Sequence, residues 1–480
     1  MKKNRTRENI NYNKIILRSI LLSVFILLVS FASLTVCRWI GFKKLSEASK
    51  LSIVNKNNLD LLLKNKYSER YQLLQPLPYN VANQKLSVGA EAVILVDVSN
   101  GNIIYQKNAD LVIPPASMTK LFAMYVVEEE IAKGRFSYDD VIPLPPESWA
   151  CNMPPHSSLM FLGEGQVVTL EELLWGLSIC SGNDAAYALA YTVCGSMEEF
   201  VSRMNQVATS LGLSHTHFVE SSGYSELNTT TAREMAAFAR VYIEKHPQSL
   251  QKFHAVQSFT YPKERNLAPG DSLQAQDFSQ GLPSHITMSI TQKNTNPLLG
   301  KLAGCDGLKT GYIEESGYNL ALTAKRNEVR FLSVTMRGQG ANTQEGQAGR
   351  VKDGTELMEY AFRTFCDADI SDFVTSSFVK VYGAKEKAVN LLPAFDVKTF
   401  SVPFITGNSL QDNLDNLKIE VSKPDFLFGD VVCGYEYGSI KIKLCDGENT
   451  FLLDTIPLVA DRDVKRAAFI IRLADSICCK

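Results

Sequence analysis

Ser117 and Lys120 stand three residues apart, a spacing that on a helix brings both side chains to one face. A serine hydroxyl is a weak nucleophile until a base removes its proton. A lysine amine becomes such a base when burial and nearby positive charge lower its pKa. Further along, Ser181-Gly182-Asn183 offers a hydroxyl and an amide, and Lys309-Thr310-Gly311 a cation, a hydroxyl and a gap in the side-chain row. These residue types suit acyl transfer through a serine ester. Ser117 is the expected nucleophile, Lys120 its base, and Ser181 a relay carrying a proton to the leaving amine. Asn183 is expected to hydrogen-bond a substrate backbone and Thr310 a substrate carboxylate, with Lys309 adding positive charge. Gly311 lets a substrate approach the strand edge. The backbone N–H groups of Ser117 and Tyr312 are the expected oxyanion hole.

Each motif alone is weak. Ser-x-x-Lys recurs as Ser377-Phe378-Val379-Lys380, where a strand pattern gives it no catalytic setting. Read alone, Ser181-Gly182-Asn183 is more simply a turn whose polar residues cap the next helix. Lys309-Thr310-Gly311 alone could be an exposed turn. The three in one order make those plainer readings improbable.

The elements that must position them are legible in part. Ala90-Glu-Ala-Val-Ile-Leu-Val-Asp97 reads as a strand, turned at 99–102 into a hairpin partner at 103–105. Pro114-Pro115 halts the chain, and a helix is expected from Ser117 to about Lys133, stopped by Gly134. Thr169-Leu-Glu-Glu172 has capping-box spacing and opens a helix that breaks at Ser181-Gly182-Asn183 and resumes to Cys194-Gly195. Thr231 to Glu234 repeats the pattern. Residues 247–287 read as a surface excursion with short strands. Leu308 to Tyr312 leads into strands at 318–324 and 329–336, with a closing helix from Gly354 to Phe365.

Pro115-Ala-Ser-Met-Thr-Lys120, Ser181-Gly-Asn-Asp184, Asn294-Thr-Asn-Pro-Leu-Leu299 and Asp306-Gly-Leu-Lys-Thr-Gly-Tyr312 together resemble the D-alanyl-D-alanine carboxypeptidases, the low-molecular-mass penicillin-binding proteins. The resemblance covers about Ala90 to Phe365. It implies an α+β, penicillin-recognising fold, with a five-stranded antiparallel sheet and helices, and a small C-terminal β domain. It implies removal of the terminal D-alanine from peptidoglycan stem peptides, acylation by β-lactam antibiotics, and no metal or organic cofactor. In many members it also implies a C-terminal membrane-associating helix. The second and third motifs lie twice as far apart as the first and second, which suggests an insertion around 247–287.

The 480 residues suffice for two or three domains. With a net charge of −2, nothing in the composition is basic enough for nucleic acid, and no nucleic-acid partner is expected. The expected division is a basic cytoplasmic segment at 1–18, a transmembrane signal-anchor at 19–37, a stalk at 38–85 and a catalytic domain at 86–370. A small β domain at 371–460 and an amphipathic helix at 461–480 follow. Residues 19–37 carry no charge and follow Lys2, Lys3, Arg5, Arg7, Lys14 and Arg18, which keep the N-terminus cytoplasmic and place the catalytic domain on the extracytoplasmic side. A cleaved signal peptide is the rival for that segment. The tail suits a membrane surface or its own domain equally. Ten cysteines at scattered positions show no disulfide framework and no zinc spacing, so free thiols with at most one or two bridges are expected.

Three rival functions remain at this level. A class A β-lactamase needs a glutamate opening a Glu-x-x-Leu-Asn loop, but the only similar run, Tyr224-Ser225-Glu226-Leu227-Asn228, begins with tyrosine and leaves Glu226 out of frame. A D,D-endopeptidase would use the same residues. A catalytically silent wall-binding protein would not need them all intact.

Overall fold

The computed structural model describes residues 12–45, 56–81, 86–405 and 407–479. Lys2, Lys3, Arg5 and Arg7 of the basic segment, and residues 46–55 and 82–85 of the expected stalk, lie outside the described residues. Helix α1 (Tyr12–Lys43) is, among the described residues, the one helix long and apolar enough to cross a membrane. Two compact units follow from the chain's contacts. One consists of Leu73–Ala368 with Thr399–Leu410, the other of Met1–Gln72, Asp369–Lys398 and Gln411–Lys480.

The first unit is built on a sheet of β1 (Gln75–Pro76), β2 (Ala92–Asp97), β3 (Asn102–Lys107), β4 (Cys305–Ile313), β5 (Gly317–Arg326) and β6 (Val329–Gly338), in the order β1-β3-β2-β6-β5-β4. From β3 to β4 every pairing is antiparallel, which is the five-stranded sheet expected. β1 comes from the stretch expected to be stalk. It adds a two-residue parallel edge to β3, with the Gln75 N–H donating to the Gly101 carbonyl at 2.9 Å. This unit therefore starts at Leu73, not at 86.

Strand alternation divides the core between two faces. Ile94 and Val96 of β2 pack with α2 (Lys120–Ala132), α4 (Asn183–Cys194), α5 (Met197–Ser210) and α6 (Ala232–Lys245), while Val93 and Leu95 face Leu357 and Met358 of α7 (Thr343–Thr364). Burying each such aliphatic side chain stabilises the fold by about 1.5–3 kcal/mol. Between α2 and α4, the six-residue α3 (Leu170–Trp175) has the full capping box of Thr169 and Glu172. α7 begins eleven residues before the expected Gly354, because Asn342 caps it by accepting from the Glu345 N–H at 3.0 Å. Ser258–Tyr261, in the expected excursion, pairs antiparallel with Ile290–Lys293 just beyond it.

The second unit holds a six-stranded sheet in the order Leu417–Ser422, Glu436–Asp446, Asn449–Ala460, Ala388–Pro393, Ser377–Tyr382, Phe426–Phe428. The spare Ser-x-x-Lys lies on one of these strands, where residues three apart face opposite sides. The expected stalk contributes a helix, Lys56–Lys66, and an ion pair between Arg70 and Asp454, so this span is not a bare tether. The C-terminal helix α8 is shorter than the 461–480 segment expected. It covers Phe469–Cys478, since Val464 exchanges backbone hydrogen bonds with Val431 and the Ala467 N–H donates to Gly383. Phe42, near the end of α1, is buried with its ring 4.1 Å from that of Tyr382, and Arg38 binds the buried Asp475 of α8. All ten cysteines lie among the described residues, outside any disulfide.

Candidate active site

Pro114 and Pro115 end an extended run, and the chain then turns sharply. Ala116 takes a left-handed conformation (φ 48°), which in a residue with a Cβ costs about 1–3 kcal/mol and persists only where the surroundings enforce it. Here the Asn319 amide of β5 donates to the carbonyls of Pro114 (3.2 Å) and Pro115 (3.4 Å). A 3₁₀ turn, Ala116–Thr119, leads into α2 and leaves Ser117 part-exposed above a fully buried Lys120.

Three oxygens surround Lys120 Nζ: Ser117 Oγ at 2.9 Å, Asn183 Oδ1 at 2.8 Å and the Ser222 carbonyl at 2.6 Å. An amide oxygen and a carbonyl only accept, whereas a hydroxyl also donates. A neutral amine satisfies this set by giving its two N–H bonds to Asn183 and Ser222, which points its lone pair at the Ser117 hydroxyl. Burial pushes the Lys120 pKa down to about 7, opposed by the charges of Glu220 and Asp184. The Ser222 carbonyl is present because Gly223 (φ 80°) lies directly on the turn that carries Ser117; a Cβ there would be 1.9 Å from the Ala116 carbonyl oxygen.

After α3 the helix widens into one π-type turn, Gly176–Cys180, and Ser181 reverses it in the left-handed region (φ 59°). The break turns Ser181 and Asn183 inward. Asn183 donates through Nδ2 to Ser157 Oγ (3.0 Å) while its Oδ1 takes the Lys120 bond, so both ends of an amide expected to meet substrate are engaged by the protein. The buried Asp184 accepts from the N–H groups of Met160, Phe161, Leu162 and Ala185 and fixes the loop that carries Ser157.

Strand β4 closes the cleft. Lys309 Nζ, also buried, donates to Ser181 Oγ at 2.9 Å and to the Thr310 carbonyl at 3.0 Å. Burial, then the charges of Lys120 and Arg350, hold its pKa well below the usual lysine range. Thr310 Oγ1 donates to Thr295 Oγ1 at 2.8 Å. At Gly311 a Cβ would stand 2.6 Å from the Pro115 carbonyl oxygen and 3.1 Å from the Ser117 nitrogen, so only glycine lets this strand lie against the turn that carries Ser117. Tyr312, half exposed, follows on the same strand.

The eight residues expected from sequence thus gather within one unit. Sequence reading missed Ser157, Ser222, Thr295, Asn319 and Arg350. Thr295 sat in a quoted motif without a role. Arg350 gave no signal: it lies on α7, and only the fold brings its guanidinium under β4 to donate to the carbonyls of Gly311 and Asn319. Glu226 is exposed. Glu220 instead accepts from the N–H and Oγ of Ser222, the Gly223 N–H and Asn228 Nδ2, which commits its carboxylate to shaping the loop.

The family model of the D-alanyl-D-alanine carboxypeptidases (Peptidase_S11) matches residues 79–340, more than half of the chain. The chain belongs to the D-alanyl-D-alanine carboxypeptidase family. It is 30% identical over 388 residues to the D-alanyl-D-alanine carboxypeptidase DacF of Bacillus subtilis (strain 168), across 80% of this chain and 88% of that protein. It is also 30% identical over 401 residues to DacC of Escherichia coli (strain K12), across 82% and 89%. The crystal structure of penicillin binding protein 5 from Haemophilus influenzae superposes with a TM-score of 0.62 at 25% identity, over 81% of this chain and all of that one. As a carboxypeptidase of this family, the chain is a serine peptidase. The paired Ser117–Lys120 and Ser181–Lys309 contacts are the polar centre its fold builds.

Proposed function

We propose that this carboxypeptidase removes the terminal D-alanine from peptidoglycan stem peptides, with Ser117 as nucleophile and Lys120 as its base. Ser117 Oγ attacks the carbonyl of the penultimate D-alanine as its proton passes to Lys120 Nζ. The oxyanion is held by the N–H groups of Ser117 and Tyr312, close to the positive end of α2. Collapse of the tetrahedral adduct breaks the peptide bond. The leaving amine takes a proton through Ser181, which Lys309 orients. Thr310, with the Arg350 guanidinium behind its strand, receives the substrate's terminal carboxylate. Water then releases the shortened peptide from the ester.

The observation that carries this reading is the set of three oxygens around Lys120, which leaves a neutral amine one direction for its lone pair, toward Ser117. β-Lactams acylate the same serine in this reading. The saturation of Glu220 supports slow release of the drug, since that carboxylate is not free to activate a water. The test is labelling of detergent-solubilised full chain with fluorescent penicillin beside Ser117→Ala, followed by D-alanine release from a peptide ending in D-Ala-D-Ala. Wild type that neither labels nor hydrolyses the drug ends this assignment.

For the N-terminus, the proposal is a retained transmembrane anchor with the catalytic unit on the extracytoplasmic side. Its support is the use of Arg38 and Phe42, at the end of α1, inside the second unit. Intact-mass measurement of protein extracted from membranes would give the full-length mass; a mass lacking residues before about 40 would refute retention.

A further inference from the structure

His254 lies outside the three motifs and is fully buried. It ends a single wide helical turn, Leu250–His254, within the stretch expected to be a surface excursion. Its Nε2 is 2.8 Å from the Tyr242 hydroxyl and its Nδ1 is 3.2 Å from the Leu308 carbonyl oxygen. A carbonyl only accepts, so Nδ1 carries the proton and Nε2 accepts from Tyr242. Burial, opposed by the bond to Leu308, pushes the His254 pKa down to about 4, so the ring is neutral where Lys120 titrates.

The carbonyl that His254 holds belongs to the residue immediately before Lys309. The same turn is gripped from the other side of the cleft. Ser178 Oγ donates to the Phe253 carbonyl at 3.2 Å and Trp175 Nε1 to the Lys252 carbonyl at 2.9 Å. Trp175 ends α3, and Ser178 sits in the wide turn that delivers Ser181. His254 Cβ is 3.2 Å from where a Cβ on Gly307 would stand, so the histidine abuts β4 itself. One buried wedge therefore touches both segments whose side chains, Lys309 and Ser181, meet at 2.9 Å.

We propose that His254 is a positioning residue of this peptidase: its Nδ1–H fixes β4 against the turn carrying Ser181 and so sets the Lys309–Ser181 contact. This rests on the functional reading above, in which that contact serves protonation of the leaving amine. Two amides separate the bond that matters from the one that does not. Asn at 254 places its N–H near the Nδ1 position and keeps the donor to Leu308. Gln places its amide near Nε2, keeps a partner for Tyr242, and leaves the Leu308 carbonyl without its donor.

The experiment measures D-alanine release (kcat and KM), penicillin acylation and thermal midpoint for full-length wild type, His254→Asn and His254→Gln, with rates referred to the penicillin-titratable fraction. The expected result is a kcat roughly tenfold lower in the Gln variant with KM changed by less than about twofold, and a kcat within about threefold of wild type in the Asn variant. A Gln variant with wild-type kcat overturns the proposal. So do Asn and Gln variants that lose rate equally, which would mark the histidine as packing alone. Wild type that is not acylated at Ser117 defeats the functional reading and this proposal together, and the wild-type lane alone tells that outcome from the others.

Discussion

Two lysines and an arginine crowd this cleft, and the chemistry needs one of them to surrender its proton near neutral pH. Lys120 is placed for this by its partners: an amide oxygen and a backbone carbonyl take its two N–H bonds, and the Ser117 hydroxyl meets its lone pair. Acylation is therefore expected to rise with pH through about 7, since the active form of Lys120 is the deprotonated one; a pH series of penicillin labelling reads this directly. Lys120→Arg fixes a charge that cannot be lost, and labelling should fall by roughly 10³-fold. Asn183→Asp puts a carboxylate where an amide oxygen now sits, 2.8 Å from Nζ. A negative neighbour favours the ammonium, so the acid limb of the pH profile should move to higher pH. Once it lies above neutrality, each further pH unit should lower the rate at neutral pH by about tenfold. A limb that stays in place would mean Lys120 is not the titrating base. Ser117, Lys120 and Lys309 were legible because their chemistry is written in short spacings. Ser222 contributes only its backbone carbonyl to Lys120, which no side-chain pattern reveals.

At the scale of elements, the site is the seam between the turn that starts α2 and strand β4. Gly311→Ala would press a methyl against the Pro115 carbonyl, 2.6 Å away, and part the two. The expected cost is about 1–3 kcal/mol of stability together with loss of acylation, read by thermal denaturation and labelling. An alanine variant that labels at the wild-type rate would show that the seam tolerates opening. α3 was predictable because its capping box is local: Thr169 and Glu172 satisfy one another's backbone groups at spacing three. The start of α7 was hidden because Gly346 and Gly349 lower helix propensity in its first turns, while the cap that decides it is a single asparagine.

For the whole molecule, the chain's two units do not follow sequence order. Thr399–Leu410 returns to the catalytic unit, and the span before Leu73 joins the C-terminal one. Strand Thr399–Pro403 pairs with Phe365–Asp369, a non-local pairing that no local pattern announces. The second unit is closed by the α1–α8 pair, where Arg38 meets Asp475, a carboxylate with no exposed surface that also accepts from the Gly383 N–H. Arg38→Ala removes the cation and leaves that charge buried. The unit should lose about 3 kcal/mol, with faster amide exchange in α8 and unchanged penicillin labelling. Exchange in α8 identical to wild type would show the pair to be dispensable.

Residue identity and spacing by themselves pointed to the family and to Ser117 and Lys120 as the pair to propose for its chemistry, because acyl transfer by a serine–lysine pair needs few residues at short, fixed separations. The apolar run of Ala92–Val96 likewise marked β2 as a strand. Tertiary structure alone decided which carbonyl orients Lys120, which arginine lies under β4, and that His254 is a buried wedge rather than part of a surface loop. The reason is one of range. Backbone groups and side chains more than about a hundred residues apart, such as Lys120 and the Ser222 carbonyl, leave no periodicity to read, and only packing brings them within hydrogen-bond distance.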